Sequence, residues 1–240
     1  MKHYELTYHP FGNRAILIEW PQEINEDILN DITAFKNVIE QDDFNDIEEV
    51  VPAYASLTLF LIKIKNEDKT IERLKELYIQ RNSFRSIGKI WKIPVCYDLT
   101  LGIDLKELTT ILNLSIEEII YEHSSSTYLV HFIGFLPGFL YLGGLNPKLH
   151  CARKSTPRLN IDKGAVGIGG SQTGIYPMES PGGWNIIGKT PIQFFDKEQS
   201  NPCFAKPGDK IRFEAISLSE YDDVLNKVSN GNYSIEEITA

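Results

Sequence analysis

Gly134-Phe135-Leu136-Pro137-Gly138-Phe139-Leu140-Tyr141 opens the stretch that decides the fold of this chain, and Ser180-Pro181-Gly182-Gly183-Trp184 lies near its end. The block from residue 134 to 191 holds 12 of the 17 glycines and 6 of the 12 prolines, yet short apolar pieces such as Ala165-Val166-Gly167-Ile168 alternate with its turns. Many short strands joined by tight turns are typical of a β-barrel or sandwich. The composition also predicts a rigid, loop-built binding or catalytic surface here, rather than a packed core.

The charge of this 134–191 block differs from that of the remaining chain. It contains two acids, Asp162 and Glu179, and six basic residues, so its net charge is +4. Since the whole chain has a net charge of −9, the remaining residues carry −13. The six are Lys148, Arg153, Lys154, Arg158, Lys163 and Lys189. A cationic island suits a small anionic ligand or an acidic partner, although each single lysine is equally compatible with a solvated face.

The overall composition excludes several classes of function. A net charge of −9 argues against binding to nucleic acid or to an anionic membrane. No apolar run reaches the roughly 18 residues of a membrane span, and the N-terminal residues lack the apolar core of a signal peptide. Three widely spaced cysteines indicate a reducing compartment and no metal cage, so we expect a cytoplasmic protein without a metal site.

Upstream of the block, the patterns predict a small α+β (ferredoxin-like) domain over residues 1–85. Strand-like pieces and two amphipathic helices follow each other in the order β-β-α-β-β-α, and Asn25 is a good N-cap for the first helix. The polar, glycine-ended stretch between Arg81 and Lys89 marks a domain boundary. Residues 86–240 then form a mostly β domain, a barrel or sandwich, that carries the site.

Within the second domain the sequence predicts both strands and helices around the block. Expected strands are residues 89–97, 128–135, 191–195 and 210–213, and expected helices are 104–112 and 219–228. A further short helix begins with Ser115-Ile116-Glu117-Glu118, a capping box in which Glu118 reaches back to the Ser115 amide. Pro207-Gly208-Asp209 predicts a tight turn.

One pattern inside the block resembles a nucleotide-binding loop. Gly183 to Thr190 fits the formula G-x-x-x-x-G-K-[ST], which requires a loop followed by a helix whose N-terminus faces the phosphates. Here the spacer Trp-Asn-Ile-Ile favours a strand and Pro191 follows at once, so no helix is expected at Lys189. We therefore reject a P-loop.

Four other groups of residues are candidates for a site. Phe135 and Phe139, held by Pro137 and Gly138, either wall a pocket or plug the barrel end. Arg153 and Arg158 either hold a carboxylate or phosphate in bidentate fashion or form surface ion pairs. Glycines around Gln172, Thr173 and Tyr176 either let backbone amides approach a ligand or only serve hairpin geometry. No carboxylate in the sequence stands out as a partner for His123 or His131, and we assign no general base.

These pieces together resemble the B subunit of the prokaryotic ATP-dependent 5-oxoprolinase, a family that also includes a bacterial sporulation-kinase inhibitor and proteins labelled allophanate hydrolase subunit 1. The likeness runs nearly end to end and is most specific in the block. Its motifs include Gly-Phe-Leu-Pro-Gly-Phe, Thr-Pro-Arg, Gln-Thr-Gly-Ile-Tyr-Pro and Ser-Pro-Gly-Gly-Trp. The chain departs from the family pattern at Cys151-Ala152-Arg153, where a Pro-Arg pair is expected, which weakens the transfer of a role to Arg153 more than to Arg158.

The resemblance implies that residues 86–240 form a cyclophilin-like β-barrel domain after an α+β N-terminal domain. It also implies one part of a shared site that opens 5-oxoproline to glutamate with ATP and magnesium, which the partner A and C subunits mainly bind. By that analogy His123, Arg158 and Gln172 are the candidate catalytic residues, with Arg158 as the carboxylate clamp. The candidate substrate-binding residues are Phe135, Phe139, Arg153, Thr173, Tyr176, Gly182, Gly183 and Trp184. Such a subunit is expected to be inactive alone. The alternatives are a protein that inhibits a sensor histidine kinase and a subunit of an allophanate or urea pathway.

Overall fold

A computed structural model of the chain describes residues 2–44, 46–82, 84 and 88–238. It consists of two compact units, Met1–Ser86 and Ile87–Ala240. Much of the stretch expected to carry the domain boundary, between Arg81 and Lys89, lies outside the described residues. No helix in the described part of the chain is long and apolar enough to cross a bilayer.

The first unit is a four-stranded antiparallel sheet with two helices. Its elements are β1 (Thr7–Pro10), β2 (Ala15–Glu19), α1 (Glu26–Gln41), β3 (Ile47–Pro52), β4 (Ser56–Leu61) and α2 (Glu67–Gln80), and the sheet order is β1-β2-β4-β3. The expected order β-β-α-β-β-α is thus present. It corrects the ferredoxin-like label in one respect, because that fold runs β-α-β-β-α-β and here its last strand stands first.

Helix α1 shows how the sequence produces this unit. The Asn25 side chain accepts a hydrogen bond from the Ile28 amide and so starts the helix. Ile28, Ile32 and Phe35 recur at helical spacing and are fully or almost fully buried in the core that the sheet forms.

A buried ion pair adds to the core of the first unit. Arg81 donates from Nε to Asp31 Oδ1 at 2.7 Å, and both side chains are 2% exposed. The indole of Trp20 and the hydroxyl of Tyr78 donate to the other carboxylate oxygen, and Arg81 also reaches the Lys2 carbonyl. Both oxygens of the Asp31 carboxylate therefore accept hydrogen bonds, which is the condition for burying a charge.

The second unit is built around a closed barrel. Its elements are β5 (Ile90–Cys96), α3 (Leu105–Leu112), α4 (Ile116–Ser124), β6 (Thr127–Ile133), β7 (Leu140–Gly143), a 3-10 turn (Pro147–Leu149), β8 (Arg158–Ile161), β9 (Ala165–Gly169), β10 (Gln172–Ile175), β11 (Ser180–Gly182), β12 (Asn185–Lys189), β13 (Lys210–Ile216), α5 (Leu218–Ser229) and β14 (Glu236–Ile238). Seven strands follow each other as β12-β9-β10-β7-β6-β13-β5, and pairing of β12 with β5 closes the ring. Strand β14 is added to β5, and β8 pairs with β11 as a separate two-stranded ribbon.

Several local predictions for this unit are confirmed. Both halves of the capping box between Ser115 and Glu118 are formed at the start of α4. Gly208 adopts a φ of +90° in the predicted turn before β13. Residues 185–189 form a strand with no helix after them, which confirms that the P-loop formula is accidental here. The α+β unit followed by a mostly β barrel matches the expected fold class.

Two predictions for this unit are wrong. Much of the 134–191 block is packed core, since the side chains of Leu140, Val166, Ile168 and Ile187 are 0% exposed inside the barrel. The glycines and prolines shape its turns, while its short apolar pieces supply barrel strands. The expected strand at 191–195 is irregular, although Ile192 and Phe194 are buried.

Candidate functional site

An open cleft of about 180 Å³ lies on the outside of the barrel. We name it the aromatic cleft. Seven of the eight residues predicted to bind substrate line it, together with Tyr141 and Pro181: Phe135, Phe139, Arg153, Tyr176, Gly182, Gly183 and Trp184. These residues come from separate parts of the block, so the fold brings together side chains that are far apart in the sequence.

Phe139 is the centre of the aromatic packing. Its ring centroid lies 5.7 Å from Trp184 and 5.8 Å from Tyr176, in edge-to-face geometry. Phe139 is 3% exposed whereas Phe135 is 67% exposed, so the first fills the floor and the second stands at the rim. Phe135 also has a φ of +67°, a conformation that costs energy for a residue with a side chain. Both phenylalanines therefore line the cleft, and Phe139 belongs to a cluster separate from the barrel core rather than to a plug at the barrel end.

The glycines of the cleft are required by close packing. A Cβ atom on Gly182 would lie 2.3 Å from the Tyr176 hydroxyl and 2.7 Å from Ile161 Cδ1. On Gly169 it would lie 2.8 Å from Trp184 Cδ1. Gly183 differs, because its nearest neighbour would be the Lys154 carbonyl oxygen at 3.5 Å. The cleft wall thus depends on the absence of a side chain at specific glycines.

Arg153 supplies the charge of the cleft. It is exposed, its guanidinium lies 5.7 Å from the Trp184 ring centroid, and it donates to Gln172 Oε1 at 3.2 Å. Among the described residues that line the aromatic cleft, Arg153 is the one charged side chain. Burial raises the pKa of the Tyr176 hydroxyl above its ordinary value, and the Trp184 amide and Arg153 only partly oppose this. Tyr176 is therefore a neutral hydrogen-bonding group at neutral pH.

Arg158 is placed differently from its predicted role as a free carboxylate clamp. It donates from Nη1 and Nη2 to the two oxygens of Asp104, at 2.9 and 2.6 Å. Lys154 contacts the same carboxylate at 3.1 Å, and the Ile186 amide donates to it at 2.7 Å. Burial opposes ionisation of Asp104, but the hydrogen bonds from Arg158, Ile186 and Lys154 outweigh it and lower its pKa. The clamp of Arg158 is thus already filled by a carboxylate of the same chain.

The cationic island is largely neutralised as a whole. Lys148 pairs with Glu122, Lys154 with Glu107 as well as Asp104, and Lys189 with Asp162. Three of these acids lie outside the block, 26 to 54 positions away in sequence. The count of +4 along the sequence therefore overstates the positive field at the surface.

His123 and Thr173 lie inside the barrel and do not face the cleft. Both are 0% exposed. The Tyr97 hydroxyl lies 2.7 Å from His123 Nδ1, and Thr173 Oγ1 lies 2.8 Å from Nε2 while donating to the Gly167 carbonyl. Since the threonine proton is used there, His123 must donate from Nε2 and accept at Nδ1. Burial lowers its pKa to about 3, so the imidazole is a neutral structural group. This corrects the expectation that these two residues line a shared surface.

The sequence patterns missed Asp104 as the partner of Arg158. It stands at the start of α3, where an acid normally serves the helix end, but its side chain makes no capping bond. No local signal distinguishes it, because its partners Lys154 and Arg158 are far away in the sequence. Among the described residues, no group of three His, Cys, Asp or Glu side chains is placed to hold a metal ion.

Comparison with known proteins relates this arrangement to characterised chains. The family model described as carboxyltransferase domain, subdomain C and D, matches residues 6–205. The chain is 36% identical over 229 residues to the 5-oxoprolinase B subunit of Bacillus subtilis, covering 88% of this chain and 92% of that protein. It is 37% identical over 211 residues to the protein of the same name from Haemophilus influenzae, covering 87% and 98%.

Solved structures agree with the fold. The crystal structure of TTHA0988 matches with a TM-score of 0.73 and 31% identity, over 85% of this chain, and this chain spans 40% of that one. The K. lactis urea amidolyase matches with a TM-score of 0.86 over 99% of this chain and 16% of its own, and at 20% identity it shows the shared fold alone. The chain therefore belongs to the carboxyltransferase C and D domain family, together with the 5-oxoprolinase B subunits.

Proposed function

We propose that the chain is the B subunit of a multi-subunit, ATP-dependent 5-oxoprolinase and contributes the aromatic cleft to a site that converts 5-oxoproline to glutamate. The observation that carries the proposal is the convergence of seven predicted residues on one cleft whose single charged side chain is Arg153. 5-Oxoproline has one carboxylate and a neutral ring amide, and the cleft offers one cation beside neutral aromatic and amide groups. The identity to B subunits over most of both chains supports the same assignment.

In this proposal Arg153 replaces Arg158 as the carboxylate-binding residue. Its guanidinium is turned towards Trp184 and Gln172 and has no carboxylate partner in the described part of the chain. Gln172 orients it from the side, and the rings of Trp184 and Phe139 supply an apolar wall for the lactam. Arg158 supports the cleft from behind through Asp104.

Partner subunits supply the remaining chemistry. The described residues contain no nucleotide-binding loop of the P-loop type, and buried neutral His123 is unsuited to proton transfer at the cleft. In this proposal ATP and its magnesium ion bind mainly to partner subunits of type A and C. The chain is inactive without these partners. The complex works in the cytoplasm. The two alternative functions, an inhibitor of a histidine kinase and a urea-pathway subunit, gain no comparable support from the cleft.

The test is ATP-dependent glutamate formation from 5-oxoproline by the co-expressed A, B and C subunits. Arg153→Met should lower kcat/KM about 10- to 150-fold, because a hydrogen bond to a charged group contributes roughly 1.5–3 kcal/mol. Lys163→Met is the matched control, since it removes the same charge from an exposed turn outside the cleft. Equal rates for the two variants would exclude Arg153 as the clamp, and absence of glutamate formation by the wild-type complex would exclude the function.

A further inference from the structure

Asp104 makes contacts with two segments behind the aromatic cleft, residues 153–158 and strand β12. Its carboxylate, 3% exposed, accepts from Arg158, Lys154 and the Ile186 amide, and its own amide donates to the Ile186 carbonyl at 3.0 Å. The start of α3 is thereby fastened to β12 and to the 153–158 segment at one point. A single buried carboxylate holds two cations.

The two cations held by Asp104, Lys154 and Arg158, belong to residues that border the aromatic cleft. Lys154 donates its amide to the Gly183 carbonyl, and Arg158 pairs across the ribbon with Gly182, so both residues neighbour cleft glycines. Burial raises the pKa of the Tyr176 hydroxyl in the cleft, and Arg158 is among the cations that partly oppose this shift. Without Asp104, the guanidinium of Arg158 and the ammonium of Lys154 would lose the carboxylate that holds them outside the cleft lining.

We propose that Asp104 is a specificity-determining positioning residue, which withholds Arg158 and Lys154 from the cleft so that one cation faces the ligand. The inference rests on the proposed function and refines its substrate class to ligands with one anionic group. A ligand with two carboxylates would leave its second charge without a partner in the wild-type cleft, and desolvating an unpaired charge is costly. Asp104→Asn would release a cation for it.

The experiment measures binding to the assembled A–B–C complex by calorimetry without ATP, with 5-oxoproline as the ligand with one carboxylate and glutarate as the ligand with two. The wild-type complex should prefer 5-oxoproline. Asp104→Asn should shift the ratio of the two dissociation constants towards glutarate by at least tenfold. The charge-compensated double variant Asp104→Asn/Arg158→Met should return the ratio to within threefold of wild type, which a purely structural role would not produce.

Two further variants keep the test decisive. Asp162→Asn removes an acid that directly follows β8 and pairs with Lys189, and it should leave the ratio unchanged. If Asp104→Asn does not fold, Glu107→Gln removes the exposed second partner of Lys154 and should shift the ratio about threefold in the same direction.

An unchanged ratio in the foldable variant, an equal shift in Asp162→Asn, or a wild-type complex that binds neither ligand would overturn the role of Asp104. Selective binding without glutamate formation would instead refute the proposed reaction and leave this role intact.

Discussion

Replacing Gly182 by alanine tests the packing of the aromatic cleft most directly. The new methyl carbon would lie 2.3 Å from the Tyr176 hydroxyl and 2.7 Å from Ile161 Cδ1, where ordinary contacts begin near 3.4 Å. Tyr176 must move by roughly 1 Å or more, and it is held by Phe139, by Trp184 and by the Trp184 amide. Overpacking of this kind costs about 1–3 kcal/mol.

Gly183→Ala is the matched control for this substitution. Its methyl group would meet its nearest neighbour at 3.5 Å, and its φ lies outside the left-handed region. It should therefore be neutral, or stabilising by up to about 1 kcal/mol through loss of chain entropy in the unfolded state. Urea unfolding gives the stability of both variants, and glutamate formation by the complex gives kcat/KM, which we expect to fall at least tenfold for Gly182→Ala alone. Equal stability and activity of the two variants would refute the packing argument.

The remaining predictions concern buried charge and pH. Asp31→Ala should lower the free energy of opening of α1 and α2, measured by hydrogen exchange, by about 3–5 kcal/mol, because it leaves Arg81 buried without its partner. Glu40→Ala, which breaks the surface pair with Lys36, should change the same free energy by under about 1 kcal/mol. Burial lowers the pKa of His123 to about 3 and that of His131 to about 4, whereas both bind a proton near pH 6.5 when unfolded. The contribution of these two neutral histidines to the free energy of unfolding is therefore complete above pH 6.5 and declines as the pH falls towards 4. Urea unfolding at pH 7, 6 and 5 should show a smaller loss of stability with falling pH in a His123→Asn variant than in the wild type. An identical pH dependence in that variant would show that His123 is not buried neutral.

Local signals in the sequence located the elements that local interactions create. The N-cap at Asn25 and the capping box at Ser115 involve atoms three residues apart, and both are formed. Apolar spacing also identified buried side chains correctly, even where it predicted the wrong backbone conformation. Ile192 and Phe194 are buried as an alternating pattern requires, yet the backbone there joins no strand. Burial follows from side-chain pattern, whereas strand pairing requires a free partner edge that one sequence segment does not reveal.

Sequence motifs predicted residues that lie together in one candidate site, but the sequence did not reveal how their charges are paired. The residues of the aromatic cleft follow from motif content, and the fold brings seven of them together. The ion pair of Arg158 could not be predicted, because its partner Asp104 is 54 positions away in the sequence and no local pattern marks that residue. The same reason hides the interior position of Thr173, which depends on a histidine 50 residues upstream. Electrostatic pairing across a barrel is a property of the closed structure.

The barrel seam has a consequence for biosynthesis. Strand β5 is the first strand of the second unit, but its partners β12, β13 and β14 all lie more than 85 residues later in the chain. At typical ribosomal rates β5 waits roughly 5 to 20 seconds before the first of these partners has been translated. During that interval the apolar run Ile93-Pro94-Val95-Cys96, buried in the finished barrel, has no strand to pair with. The nascent chain therefore exposes an unpaired strand edge, which is prone to association with other chains, and a protein truncated before residue 185 would retain that edge.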